Sequence, residues 1–483
     1  MDLKRTRISF PWLIFLVALV LRLVPVILAR NLGIGLDDMF QYDMLARSIV
    51  SGNGYRWYGQ SDLYLVKNYI PLDLSTVNYD PRGVLTSFRS PLYPAFLAMI
   101  YFFSGVNADR FFVARLVQAA LNALLAPMTY LAARQFFPDH PRAAKWSAWA
   151  VALYPMMVIY PLSLATENLF FVLVLASVLA LLKAGRSQRM GWYVLSGLLL
   201  GLSALTRSVI MPLGIVAAVW AWLLLKNWKG AALILVTMVA ACLPWIVRNS
   251  LLYGHLAGIE SSLGYNLYVG YHPNSTGTFQ YGISLDLIPI LDDGLRDKIG
   301  TAKAIEFIRE DPSRVPKLAL LRLGHFFELE RRALTYFYSN NFFGYVATPA
   351  LLALAALLLL PFVVISTSSV FGLILADWRR NDIILLGLAL ITYLLPHVLI
   401  LAEDRFHLTI IPLLAILAAR CWEGGYLDIK NLSGGSRTGK ILVFLACLGV
   451  VLLFFNWGYE LFRDSDKLVL LLGPKGNLTG FPY

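Results

Sequence analysis

Asp37 and Asp38 stand side by side just after the first apolar segment, with Tyr42 one helical turn further on. Two adjacent carboxylates near low dielectric repel each other, so one resists ionisation unless a cation or hydrogen-bond donors compensate. A carboxylate lining a cavity can take the proton of an acceptor hydroxyl or amine, if it lies within hydrogen-bond reach. The plainer and commoner reading of such a pair is a helix N-cap with a favourable dipole partner, at the start of residues 39–50. Arg89, Arg207 and Arg405 suit a phosphate, because guanidinium offers a fixed fork of donors and keeps its charge beside a membrane. Cations placed where a leaving phosphate gains charge lower the barrier. Headgroup contact or snorkelling is the plainer account of any single interfacial arginine. Glu167, Arg207, Glu403, Asp404, Arg405 and His407 lie in the short polar turns Ala165–Asn168, Thr206–Ser208 and Ala402–His407.

No metal constellation stands out. The six histidines lack i,i+4 pairs, and Cys242, Cys421 and Cys447 sit in or beside apolar runs as packing residues. A divalent cation could rest on Asp37 and Asp38, but two residues do not specify one, and no cofactor is expected. Walker loops, a GxGxxG opening a helix and a defensible Ser/His/Asp order are missing from the sequence.

The elements that must position these residues are membrane helices. Of 483 residues 58% are hydrophobic and 14% charged, where a soluble domain carries about 25% charge. Apolar runs near 8–29, 111–133, 146–163, 168–182, 191–205, 209–225, 231–247, 345–375, 383–401, 408–421 and 440–459 approach or reach the roughly 20 residues a crossing helix needs. The run at 91–104 is too short to cross comfortably. If it stays on one surface, the clusters Arg134/Arg142/Lys145, Lys183/Arg186/Arg189, Lys226/Lys229, Arg379/Arg380 and Lys430/Arg437/Lys440 share a side with Lys4/Arg5/Arg7, as the positive-inside bias requires. Clusters of that kind explain the net charge of +12 better than nucleic-acid binding does.

The expectation is an all-α, multi-pass protein of the plasma or inner membrane with about eleven spans. Its N-terminus is cytoplasmic, and its C-terminus and site charges are extracytoplasmic. The first span reads as uncleaved, and Arg22 within it as turned toward protein or water. Residues 1–248 read as a membrane core with an outer loop at 30–110, 249–344 as a second large loop, 345–459 as the last spans and 460–483 as a polar tail. In the second loop, Ala304, Ile305 and Ile308 mark one face of an amphipathic helix, and another runs through Leu318–Phe327. The Gly- and aromatic-rich segment Gly264–Pro273 reads either as an irregular substrate-facing loop or as a structural turn region.

The chain resembles the GT-C glycosyltransferases, especially the protein O-mannosyltransferase and lipid A aminoarabinose transferase branch. The likeness rests on Asp37-Asp38-Met-Phe-Gln-Tyr42-Asp-Met-Leu-Ala46-Arg, Phe88-Arg-Ser-Pro-Leu-Tyr-Pro94, Leu164-Ala-Thr-Glu167, Leu205-Thr-Arg207, Pro244-Trp-Ile-Val-Arg-Asn249, Gly264-Tyr-Asn-Leu-Tyr-Val-Gly270 and Asp404-Arg-Phe-His407. It implies a GT-C fold and an inverting transfer from a polyprenyl-phosphate sugar to a glycolipid, glycan or protein on the extracytoplasmic face. The family's base falls on Asp38 by spacing from Tyr42 and Ala46, which puts its usual Glu partner on Met39, or on Asp37 if the pair replaces Asp-Glu directly. Arg89 and Arg207 match its phosphate-binding basic residues, and Glu167 its carboxylate near sugar or acceptor. Tyr42, Arg405 and His407 complete the expected substrate contacts. A flippase or transporter of lipid-linked glycans, and a polysaccharide polymerase or ligase, remain open alternatives.

Overall fold

The computed structural model describes residues 8–107 and 109–480, so Lys4, Arg5 and Arg7 lie outside the described residues. The described chain is mainly helical, with one two-stranded antiparallel sheet pairing Arg56–Trp57 with Val84–Leu85. Among the described residues eight helices are long and apolar enough to cross a membrane, including Phe10–Leu28, Arg110–Phe136, Glu167–Ser187 and Trp228–Tyr253. Met190–Thr206 and Ser208–Leu223 are apolar but shorter. The run at 146–163 breaks at Tyr154, where Pro155 starts a new helical turn. Proline carries no N–H and cannot satisfy the carbonyl four residues back, which is Val151. Arg22 does so instead, reaching across from the first helix to the carbonyls of Val151 (3.2 Å) and Ala152 (3.3 Å), fully buried.

The run at 91–104 forms the helix Leu92–Ser104. Its 13 residues span about 20 Å at 1.5 Å per residue, short of the roughly 30 Å hydrocarbon core. Tyr93, Leu97 and Tyr101 pack inward while Met99, Phe102 and Phe103 stay exposed. Against it lies the helix Asp38–Val50, whose Tyr42 and Ala46 join that apolar cluster. Phe40, Met44 and Leu45 on its other side pack with Trp57, Phe88, Tyr265 and Leu291. Asp43 fastens the helix, accepting from Arg47 (2.7 Å), Arg110 (2.8 Å) and Tyr101 (3.1 Å).

Two expectations for the second loop change. Gly264–Pro273 is not an irregular loop: its core is the helix Leu263–Tyr271, packed on the helix Asp293–Glu310. A Cβ on Gly264 would collide with the Asp297 carbonyl, and one on Gly300 with the Gly264 carbonyl. The glycines thus allow a backbone approach that larger residues would block. On the neighbouring face Ala304 is buried with Tyr271 and Leu318, whereas Ile305 points outward. The 460–483 boundary also falls inside a helix, since Arg437–Arg463 runs past it. The following segment folds back as Ser465–Leu472, with Leu471 packed on Leu334, Tyr338 and Leu351.

Glu167 and Ser187 mark opposite ends of one apolar helix. With the exposed Cys447 replaced by serine, Tyr69→Cys in the first loop is expected to react with an impermeant thiol reagent in intact cells. Ser187→Cys is expected to react only after permeabilisation. Labelling in the reverse order would invert the expected orientation.

Candidate active site

Six segments far apart in sequence deliver charged side chains to one end of the helix bundle. The centre is Asp38, in the first turn of its helix, held between Arg89 and Arg405. Arg89 Nη2 donates to one Asp38 oxygen while its Nε donates to Gln41 Oε1 at 2.8 Å. Arg405 Nη2 stands 3.5 Å from the other Asp38 oxygen. Arg405 also binds Glu403 (2.7 Å) and lies 3.9 Å from Glu167. Glu167 pairs with Arg207 Nη1 at 2.5 Å, and Arg332 reaches Glu403 and Asp404, both at 3.3 Å. Phe406 packs between cations, its ring centroid 5.1 Å from the Arg207 guanidinium and 5.7 Å from that of Arg405. Tyr42 lies under Arg89 at 5.4 Å and edge-on to Tyr93.

The two aspartates part company. Asp37 is the N-cap: its Oδ1 accepts from the Met39 backbone N–H at 2.8 Å. Burial raises its carboxyl above the usual range, against that hydrogen bond. Asp38 faces the arginines. Burial alone would raise its carboxyl too, but Arg89, Arg405 and Arg207 more than offset that and hold it below the usual range. Its side chain keeps 34% of its surface open, so Asp38 stays part-exposed at this end of the bundle. Burial pushes the Tyr42 hydroxyl up to about 12.

Arg89, Glu167, Arg207, Arg405 and Asp38 therefore converge, with Tyr42 beside them. His407 does not. It turns away, fully buried, with Nδ1 2.6 Å from the Phe326 carbonyl, Nε2 2.8 Å from Glu330 and its ring stacked on Phe362. The charges as arranged do not fit a metal: each clustered carboxylate already faces a guanidinium, and no group of three or more His, Cys, Asp or Glu among the described residues could hold one.

Supporting residues that the sequence did not mark set this geometry. Arg115, fully buried, donates to the carbonyls of Leu32, Gly33 (2.8 Å) and Leu162 (2.8 Å), fixing the approach to Asp37 and the turn before Glu167. Asp293, from the second loop, accepts from Thr86 Oγ1 (2.5 Å) and the Ser87 N–H (3.0 Å) and pairs with Arg296, whose guanidinium covers Phe88 at 4.2 Å. Only a buried aspartate opening a helix in a polar loop could have signalled this anchor.

A family model described as dolichyl-phosphate-mannose-protein mannosyltransferase matches residues 89–247, about a third of the chain. The structure aligns with the Archaeoglobus fulgidus oligosaccharyltransferase tethered to an acceptor peptide containing the NVT sequon, at 16% identity and a TM-score of 0.51, over 99% of this chain and 60% of that one. The chain has the GT-C fold. Other GT-C structures align with lower scores. The oligosaccharyltransferase AglB from A. fulgidus, in complex with an inhibitory peptide and a dolichol-phosphate, gives 0.47 at 15% identity over 98% of this chain and 60% of that one. ArnT from Cupriavidus metallidurans, bound to undecaprenyl phosphate, gives 0.39 at 16% over 88% and 80%. The chain spans about 60% of the length of the oligosaccharyltransferases. No curated protein matches it.

Removing one partner of a buried ion pair costs about 3–5 kcal/mol. Asp293→Ala is therefore expected to lower the unfolding midpoint in detergent markedly. An unchanged midpoint would show that the anchor contributes nothing to holding the Thr86–Arg89 segment.

Proposed function

We propose that this GT-C chain is a glycosyltransferase that moves a sugar from a polyprenyl-phosphate donor to a hydroxyl or amine acceptor at the extracytoplasmic face of the cell membrane. The observation that carries the reading is the ion-pair cluster in which Asp38 sits between Arg89 and Arg405, with Arg207 beyond Glu167. Nucleotide sugars are cytoplasmic, whereas a site at the outer end of membrane helices can take a lipid donor from the side. The acceptor oxygen or nitrogen attacks the anomeric carbon, the bond from that carbon to the phosphate oxygen breaks, and polyprenyl phosphate leaves with the bonding pair. Attack from the face opposite the phosphate inverts the centre. Asp38 takes the acceptor's proton, and Arg89, Arg207 and Arg405 meet the charge that grows on the phosphate.

The pairing of these groups implies a sequence of events. A donor phosphate competes with Asp38 for Arg89 and Arg405. As the guanidiniums turn to phosphate, the field that depresses the Asp38 carboxyl weakens and its basicity rises. Glu167 holds Arg207 in reach, and Asp37 keeps the helix start in place as its cap.

Asp38→Asn keeps size but takes no proton at neutral pH, so turnover should fall about 10²- to 10⁴-fold with donor binding retained. Asp37→Asn should cost far less, because Asn caps nearly as well as Asp. Near-normal turnover in Asp38→Asn would remove the base from this residue.

The pH dependence has a definite sign. The acid limb of kcat/KM reports the free enzyme and that of kcat the donor complex. Asp38 is depressed by the arginines in the free protein, so its limb in kcat/KM should lie below the usual aspartate range. The limb in kcat should lie at higher pH, and Arg405→Gln should shift the kcat/KM limb upward. Coincident limbs unaffected by the substitution would contradict competition between donor and Asp38.

A further inference from the structure

Glu260 lies in the loop after the helix Trp228–Tyr253 and takes no part in the chemistry above. One of its oxygens accepts from Ser208 Oγ at 2.5 Å and the other from Ser90 Oγ at 2.8 Å. Ser90 is the residue after Arg89, and Ser208 the residue after Arg207. One carboxylate thus spans the two turns that carry the two arginines, which lie 118 positions apart in sequence (89 and 207). Among the described residues no cation forms a close ion pair with Glu260, so its hydrogen-bonding capacity goes to these hydroxyls.

The turn that presents Glu260 is itself gripped. Trp245 Nε1 donates to the Ile259 carbonyl at 2.9 Å, and Asn249 Nδ2 donates to the carbonyls of Gly258 (2.8 Å) and Ile259 (3.0 Å). Arg248, between them, donates to the Thr86 carbonyl at 2.6 Å. Next to Glu260, the Ser261 N–H donates to the Ser87 carbonyl at 3.0 Å. The segment Pro244–Asn249 thereby gains a physical purpose: it fixes the platform from which Glu260 reaches both turns.

We propose that Glu260 is a positioning residue that sets the spacing of Arg89 and Arg207, and so the affinity for the phosphate of the lipid carrier. The proposal rests on the reading of those arginines as phosphate ligands. Hydrogen bonds to an ionised acceptor are stronger than neutral ones, and a carboxylate offers an acceptor at each end of the span. Glutamine keeps the length and can still bridge, accepting from one serine and donating to the other. Alanine cannot bridge at all.

The test is binding of undecaprenyl phosphate, a carrier without sugar, to the full chain in detergent. Glu260→Ala should weaken binding about tenfold, with Glu260→Gln within about threefold of the unsubstituted protein. The double variant Ser90→Ala/Ser208→Ala should reproduce Glu260→Ala, and adding Glu260→Ala to it should cost little more, because residues acting through one connection are not additive. Arg89→Ala and Arg207→Ala are measured alongside. If both bind the carrier normally, the phosphate reading fails and this proposal with it. If they bind weakly while Glu260→Ala binds normally, the proposal alone fails. It also fails if Glu260→Ala is weak and the double serine variant is not, since Glu260 would then act on the ligand directly.

Discussion

Charge beside a membrane has to be cancelled locally, and the guanidinium–carboxylate cluster at the bundle end obeys that constraint. Asp38, Glu167 and Glu403 on one side, with Arg89, Arg207, Arg405 and Arg332 on the other, form one connected set. An isolated ion moved into low dielectric costs several kcal/mol even after relaxation. No member can therefore leave without its neighbours rearranging. That interdependence joins the first loop, the helix ends at Glu167 and Arg207 and the turn at Glu403–Arg405 into one unit. It also makes an anionic ligand the natural agent of change, because a phosphate can replace a carboxylate at a guanidinium and keep the cation paired.

A second set of arginines serves the backbone. Arg22, Arg115 and Arg322 are fully buried and donate to main-chain carbonyls where helices break or end. Arg22 covers the break before Pro155, Arg115 the turns at 32–33 and 162, and Arg322 the carbonyls of Leu399 (2.8 Å) and Gly270. Unsatisfied carbonyls are costly without water, so irregular backbone survives there only when protein groups meet it. These breaks are also what bring the site segments to a common end of the bundle. The two arginine sets thus divide the labour between site and scaffold.

Much of the site could be read from the sequence because its residues sit at the polar ends of apolar runs. Glu167 and Arg207 are marked by such ends, and Arg89 by the Pro-rich start of a run too short to cross. The choice between Asp37 and Asp38 was not legible, since either could cap; it turns on which carboxylate meets the Met39 N–H and which meets Arg89. His407 misled for a related reason: its neighbours Asp404 and Arg405 enter the cluster, but a tight helical turn sends the next polar side chain back toward Glu330. The second loop was hardest. Its helix Leu263–Tyr271 depends on contact with Asp293–Glu310 through Gly264 and Gly300, and the partners of Asp293 and Glu260 are distant in sequence: Thr86 is 207 residues from Asp293, and Ser90 and Ser208 are 170 and 52 residues from Glu260.

In the proposed reaction the charged cluster around Asp38 transfers a sugar from a polyprenyl phosphate. The most direct measurement compares lipid-linked sugars and acceptor glycans in cells carrying either the unsubstituted chain or Asp38→Asn at equal protein level. The account predicts that one polyprenyl-phosphate sugar accumulates and that the same sugar disappears from one acceptor pool. Unchanged levels of both, with the variant correctly inserted, would contradict it.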